Sequence, residues 1–189
     1  EPGKYLAFLG RVSPEKCPDQ AIELAKRVGL PMKMAAKVDP ADRAYFERVV
    51  EPLIDHPLIE FVGEITDAEK SDFIGNAIGL VCPYDWPEPF GLVLIESLAC
   101  GTPVLAYRRG SIPEIIGHGV TGFISENLDE MVSQVSKLGT IDRHRCRQVF
   151  DERFTAQRMT NDYVKIYQQL IADAATLPGK AGQQHASNL

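Results

Sequence analysis

Two glutamates, Glu88 and Glu96, lie on either side of a glycine near the middle of the sequence. Glu96 falls within the segment from Leu92 to Ala99, whose only other polar residue is Ser97, and this pattern predicts a buried helix. A buried carboxylate is costly unless something pairs with it. Two interpretations remain open: Glu96 forms an internal ion pair with an arginine or lysine, or it accepts hydrogen bonds from the hydroxyl groups of a ligand.

The backbone in front of this helix is suited to binding an anion. Phe90, Gly91 and Leu92 present N–H groups that have no acceptor inside the helix, and a helix start of this kind favours phosphate. Gly91 has no side chain, so a ligand can approach the backbone closely. Apolar runs at residues 77–82 and 103–106 flank the segment. The order strand, loop, helix, strand is typical of a parallel α/β sheet.

Two basic residues follow the first predicted strand. Arg11 and Lys16 come after the apolar run from Tyr5 to Leu9 and precede a helix that ends at Gly29. Ligands of open α/β sheets bind at the carboxyl ends of the strands, which would bring these side chains near the Phe90–Leu92 amides. Taken alone, the two residues indicate either solvated surface charges or a clamp on a diphosphate.

A run of about thirty residues resembles a known enzyme family. Its parts are Glu88-Pro89-Phe90-Gly91 followed by Glu96, then Leu98-Ala99-Cys100-Gly101-Thr102-Pro103-Val104, and finally Gly110-Ser111-Ile112-Pro113-Glu114-Ile115. This combination is similar to the E-x(7)-E region of glycosyltransferase family 4, whose members are retaining enzymes that use nucleotide sugars. The resemblance extends over about residues 4–172. It implies the carboxyl-terminal, donor-binding half of a two-domain GT-B enzyme, whose amino-terminal half would bind the acceptor.

The resemblance also implies which residues bind the donor, a UDP-, GDP- or ADP-linked sugar: Arg11, Lys16, Glu64, Ile65, Glu88, Pro89, Phe90, Gly91, Leu92 and Glu96. Arg11 and Lys16 would stabilise the charge on the leaving diphosphate, and Glu88 would contact hydroxyl groups of the transferred sugar. These three form the expected catalytic set. Glu96 would bind the ribose hydroxyls. The backbone at Glu64 and Ile65 would hold the base, so the sequence hardly constrains which base is bound.

Two positions need the structure to interpret them. The family usually has glycine directly after the lysine of the first loop, and Cys17 stands there, which alters the expected loop geometry. Trp86 is the only tryptophan. It either packs under a proline-rich turn or contacts the transferred sugar.

Composition excludes several other classes. A net charge of −6 argues against a general nucleic-acid surface. The four cysteines are scattered without zinc spacing and indicate a reducing, cytoplasmic environment. With no Asp-x-Asp pair and only isolated histidines, we expect no metal and no other cofactor. No apolar run reaches the length of a membrane span, and contact with a membrane surface through the other half stays open.

These patterns predict a Rossmann-like α/β domain over residues 1–175, with a parallel sheet of about six strands flanked by helices, and a disordered tail over residues 176–189. One helix is expected from Pro40 to Glu51, ended by Pro52. We expect the isolated fragment to be inactive. Alternatives are a non-catalytic nucleotide-sugar-binding module, or a related GT-B synthase or phosphorylase. A dehydrogenase is disfavoured because no G-x-G-x-x-G follows the first strand.

Overall fold

The computed structural model describes residues Gly3 to Thr176, in two compact units that divide between Glu152 and Arg153. The first unit contains a six-stranded sheet of order β3-β2-β1-β4-β5-β6, in which all neighbouring strands are parallel. Its strands are β1 Tyr5–Arg11, β2 Met32–Lys37, β3 Ile59–Gly63, β4 Ala77–Cys82, β5 Val104–Tyr107 and β6 Gly122–Ser125. The predicted fold class is confirmed.

Helices flank this sheet. In chain order they are α1 Pro18–Val28, α2 Arg43–Tyr45, α3 Glu51–Ile54, α4 Asp67–Gly75, α5 Leu92–Ala99, α6 Ile112–Ile115, α7 Leu128–Val135 and α8 Arg143–Arg153. The second unit contains α9, Ala156–Thr176. Of the predicted tail, residues 177–189 lie outside the described residues, and Thr176 is the last residue of α9.

Continuous apolar runs form the central strands because helices cover both faces of the sheet. Leu6, Ala7 and Phe8 are successive residues of β1, and all three are fully buried. The edge strand β3 instead alternates between half-buried and exposed residues. The core therefore lies around β1, β4 and β5, and the loops at their carboxyl ends rest on a rigid base.

The strand order places the loops after β1 and β4 side by side. The chain builds β1 to β3 toward one edge and β4 to β6 toward the other, so the order reverses between β1 and β4. Ligands of open α/β sheets bind at such a switch point. The backbone N–H of Asp85 donates to the carbonyl oxygen of Glu15 at 3.0 Å, which joins the two loops directly.

The prediction that Pro52 ends a helix is wrong. Helical structure continues to Ile54, and Pro52 lies in the first turn of α3. A π-helical segment, Phe46–Val50, comes just before it. A proline cannot donate to the preceding turn and its ring crowds a carbonyl there. The wider π turn relieves this conflict, so the helical structure continues past Pro52.

The loop after β5 packs tightly against the loop after β4. Ser111 donates from its backbone N–H to the carbonyl oxygen of Glu88 at 2.9 Å and from Oγ to the carbonyl oxygen of Phe90 at 3.0 Å. Gly110 has a φ of +52°, and a Cβ atom built there would lie 2.3 Å from the Glu88 carbonyl oxygen. Only glycine permits this approach, so the position of Glu88 depends on it.

Cys17 takes the backbone conformation that glycine would take. Its φ is +49°, and it is the only non-glycine residue between Gly3 and Thr176 with a positive φ. It ends the short 3-10 turn Pro14–Lys16 and begins α1. Burial raises the pKa of its thiol, which keeps the group neutral. The loop therefore makes a left-handed turn at Cys17, although a Cβ atom is present.

Replacing Cys17 should reveal the strain of this conformation. We expect Cys17→Ala to be less stable than Cys17→Gly by about 1 kcal/mol, because both variants lose the sulfur and only alanine keeps a Cβ atom at positive φ. Urea unfolding would measure the difference. The same pair at Glu23, an exposed position inside α1, should give the opposite sign. Equal stability of the two Cys17 variants would contradict the left-handed turn.

Replacing Gly110 should displace the Glu88 loop. We expect Gly110→Ala to lower the free energy of unfolding by about 1–3 kcal/mol, because the added methyl group overlaps the Glu88 backbone. The emission of Trp86, two residues from Glu88, should change at the same time. Gly75→Ala is the control, since a Cβ there meets nothing within 4 Å. An unchanged emission spectrum in a destabilised Gly110→Ala would mean that the strain is absorbed elsewhere.

Candidate functional site

A buried ion pair joins the loops after β1 and β4. Lys16 Nζ lies 2.5 Å from Glu88 Oε2, and the two side chains are only 15% and 9% exposed. The ammonium group also lies 4.0 Å from the centroid of the Tyr84 ring and 5.0 Å from that of Trp86. The Trp86 indole N–H donates to the same Glu88 oxygen at 3.0 Å. These contacts together offset the removal of both charges from water.

Unbonded backbone N–H groups lie next to this pair. Gly91 caps α5 with a φ of +78°. The carbonyl groups of Glu88 and Phe90 are already bonded to Ser111. Within residues 3–176, the amides of Phe90, Gly91 and Leu92 donate to no protein acceptor. The three amides are therefore unbonded as the sequence predicted, and they follow Glu88, the partner of Lys16, by two to four residues; their binding of an anion stays a prediction.

A cavity of about 300 Å³ opens at the carboxyl ends of β1, β2 and β3, beside α5. Four of the predicted donor-binding residues line it: Glu64, Ile65, Leu92 and Glu96. The remainder of the lining is small, apolar or basic: Leu9, Gly10, Ala35, Ala36, Lys37, Lys70 and Val93. The structure thus brings the predicted base-binding backbone and the predicted ribose-binding acid to one cavity.

Glu96 satisfies parts of both interpretations of the sequence. Its Oε1 lies 3.3 Å from Nζ of Lys70, which also contacts Asp67 at 2.9 Å. The hydrogen bond to Asp67, more than that to Glu96, raises the pKa of Lys70 above its ordinary value. Oε2 of Glu96 has no hydrogen-bond partner in the described part of the chain. An ion pair therefore exists, and one oxygen stays available to a ligand.

The prediction that α5 is buried on all sides is wrong. Leu94, Ser97 and Leu98 are buried, but Leu92 is 64% exposed and the Glu96 side chain 38% exposed. The reason is that one face of α5 packs on the sheet while the opposite face borders the open cavity. Apolar residues on that face resemble core residues in sequence, although they line a site.

Arg11 and Lys16 point to different neighbours. Arg11 is half exposed and pairs with Glu15 at 3.1 Å and with Asp39, which follows β2, at 3.7 Å. Lys16 pairs instead with Glu88, which follows β4. Pro89 and Phe90 are exposed at the surface of the β4 loop. The diphosphate clamp stays a prediction.

Sequence reasoning missed two contacts. Lys70 lies in the helix that follows the Glu64–Ile65 backbone, and a search there for the cation that a buried Glu96 requires would have found it. Lys37 also lines the cavity and pairs with Asp39 at 3.2 Å. Its place at the end of β2, on the same sheet edge as Arg11, was the available signal.

The structure also bears on the expectations about metals and membranes. Between Gly3 and Thr176, no three side chains from histidine, cysteine, aspartate and glutamate lie close enough to hold a metal ion. None of the helices described above combines the length and the apolar character that crossing a bilayer requires. The expectations of a metal-free reaction and of a cytoplasmic location stay predictions.

Known proteins resemble this chain in sequence and in fold. N-acetyl-alpha-D-glucosaminyl L-malate synthase of Bacillus anthracis is 36% identical over 94 residues, which cover 46% of this chain and 25% of that protein. D-inositol 3-phosphate glycosyltransferase of Mycobacterium marinum is 30% identical over 129 residues, covering 67% of this chain and 28% of that protein. Alr3699/HepE of Anabaena, crystallised with UDP and glucose, matches with a TM-score of 0.73 at 20% identity, over 93% of this chain and 49% of that chain.

These matches agree in what they cover. The chain spans about a quarter of the length of the two curated relatives and about half of the solved chain. The family model described as glycosyl transferases group 1 matches residues 1–148, which include every site residue discussed above. The chain therefore belongs to the group 1 glycosyl transferase family.

Proposed function

We propose that this chain is the donor-binding half of a retaining, family 4 glycosyltransferase of GT-B architecture. It would take part in moving a glycosyl group from a nucleoside diphosphate sugar to an acceptor. The observation that carries the proposal is the placement of three features at one sheet edge. They are the unbonded amides at the start of α5, the adjacent Lys16, and the cavity that contains Glu96.

The cavity suits the nucleoside part of such a donor. In our proposal the base lies against the backbone of Glu64 and Ile65, and the ribose hydroxyls donate to Oε2 of Glu96. Small side chains such as Ala35 and Ala36 leave room for the rings. Lys70 holds the other Glu96 oxygen at 3.3 Å and so limits the rotation of the carboxylate.

The diphosphate would lie at the start of α5. As the bond between the sugar and the diphosphate breaks, negative charge develops on the leaving oxygen. The Phe90–Leu92 amides, which the backbone holds in place, and the Lys16 ammonium group stabilise that charge, and Arg11 approaches from the neighbouring loop. Glu88 then contacts hydroxyl groups of the transferred sugar and does not act as a general base. The scheme contains no metal and no cofactor.

The acceptor site would belong to an amino-terminal half, which the coverage of the relatives supports. UDP is the first nucleotide to test, because the Anabaena protein was crystallised with it. GDP and ADP remain the alternatives. All four cysteines are free thiols, which supports a reducing, cytoplasmic environment for the enzyme.

Nucleoside diphosphates should stabilise the chain against heat. We expect one of UDP, GDP and ADP to raise the melting temperature. The free energy of unfolding should rise by about 2.7 kcal/mol when the nucleotide concentration is a hundred times its Kd. Glu96→Ala should lose most of this gain because the ribose loses its acceptor, whereas the exposed Glu23→Ala in α1 should keep it. A lack of response to all three nucleotides, in this chain and in a longer protein that contains it, would refute the proposal.

Transfer should require more than these 189 residues. We expect this chain to bind a nucleotide sugar and to transfer nothing, because the acceptor surface lies in the other half. Release of nucleoside diphosphate from the sugar nucleotide, followed with and without acceptor, would measure transfer. A longer protein that contains the chain should be active, and its Glu88→Ala variant should not. Robust transfer by the 189-residue chain alone would disprove the division of labour.

A further inference from the structure

The role of Trp86 is not explained by packing. Its ring is only partly buried, in a loop that carries Pro83, Pro87 and Pro89. An indole has one hydrogen-bond donor, and Trp86 directs it to Oε2 of Glu88 at 3.0 Å. The same side chain presents its ring to Lys16 Nζ at 5.0 Å. Trp86 thus contacts both members of the buried ion pair.

We propose that Trp86 is a positioning residue, whose N–H holds the Glu88 carboxylate in place when a donor diphosphate draws Lys16 away from it. This inference rests on the proposed function, because it needs a diphosphate to bind beside Lys16. It adds a residue to the site and a sequence of contacts: Lys16 exchanges a carboxylate for phosphate, while Glu88 keeps the indole N–H and faces the sugar.

The exchange follows from the contacts of Lys16. Lys16 has three N–H bonds, and within the described residues only Glu88 accepts one of them. It cannot serve fully as a phosphate ligand while it neutralises Glu88. A diphosphate at the unbonded amides of α5 carries more negative charge than one carboxylate and would compete for the ammonium group. The lysine side chain is flexible enough to turn toward it.

Departure of Lys16 would leave the buried Glu88 carboxylate without its cationic partner, at a large cost in free energy. Glu88 is only 7% exposed, and a buried carboxylate without a partner is strongly unfavourable. Among residues 3–176, the indole N–H is the one other donor to this carboxylate. It therefore fixes where the carboxylate stays, and the sugar hydroxyls can supply the remaining hydrogen bonds.

The rigidity of the loop supports this role. Ser111 and Gly110 hold the backbone of Glu88 from the β5 side, and Tyr84, fully buried, lies under Lys16. The backbone on both sides of Trp86 is thereby fixed. An indole on such a loop acts as a fixed donor rather than as a mobile one.

Binding measurements can isolate the indole N–H. Trp86→Phe keeps an aromatic ring near Lys16 and removes the N–H donor together with the five-membered ring of the indole. Using UDP, GDP and ADP with UDP-glucose, UDP-N-acetylglucosamine and GDP-mannose, calorimetry on this chain and on the longer protein would give the affinities. We expect Trp86→Phe to bind the diphosphate within about twofold of wild type and to bind the matching sugar nucleotide about tenfold more weakly.

A double-mutant cycle distinguishes positioning from packing. If Trp86 acts through Glu88, Trp86→Phe should cause no further loss of sugar-nucleotide affinity in a Glu88→Ala background. Equal losses in both backgrounds, or equal losses for diphosphate and sugar nucleotide, would overturn the proposal in favour of packing. Unchanged sugar-nucleotide affinity in Trp86→Phe would overturn it as well.

Fluorescence tests the exchange without altering Trp86. The 189-residue chain has one tryptophan, and its emission should change when the diphosphate draws Lys16 from the ring. Lys16→Met should lack this change. Calorimetric binding with constant emission would overturn the exchange. If wild type binds no nucleotide at all, in either the chain or the longer protein, the proposed function itself fails, which is a different result.

Discussion

The ion pair between Lys16 and Glu88 is the contact that holds together the two loops of the candidate site. It joins loops from β1 and β4, the two strands between which the sheet order reverses, and both side chains are largely removed from water. Taking away one partner would leave the other charge uncompensated, which typically costs about 3–5 kcal/mol. The Trp86 N–H and the Tyr84 ring make the arrangement tolerable. The same two loops also share an uncharged backbone bond from Asp85 to Glu15.

Basic side chains of the candidate site are paired with acids. Lys16 pairs with Glu88, Arg11 with Glu15 and Asp39, Lys37 with Asp39, and Lys70 with Asp67 and Glu96. An anionic ligand that contacts one of these cations therefore competes with the acid already paired to it. Most of them are partly exposed and weak in water; the exception is the buried pair of Lys16. An anionic ligand should consequently change the Lys16–Glu88 pair most, while the other pairs mainly orient their carboxylates.

Local patterns predicted the sheet well because each strand is a property of its own segment. The apolar runs at Tyr5–Leu9 and at residues 77–82 became β1 and β4, and Gly91 marked the start of α5. Contacts between distant segments were not predictable in this way. Lys70 reaches Glu96 across 26 positions, and no local pattern marks such a pair. The prediction that Leu92 is buried was wrong for a related reason. An apolar residue at the edge of a cavity cannot be distinguished in sequence from one in the core.

The close approach of Gly110 to the Glu88 backbone limits how this scaffold can diverge. Side chains that line the cavity, such as those of Lys37 and Glu64, can be exchanged without moving the main chain. A side chain at position 110 would displace the backbone of Glu88, and the loop of Ser111 also holds the carbonyl group of Phe90. The Glu88 carboxylate and the unbonded amide of Phe90 would therefore shift together. Under the proposed function, donor preference is therefore open to change by substitution around the cavity. A library designed to alter it should vary the cavity wall and keep the spacing of residues 108–111 fixed.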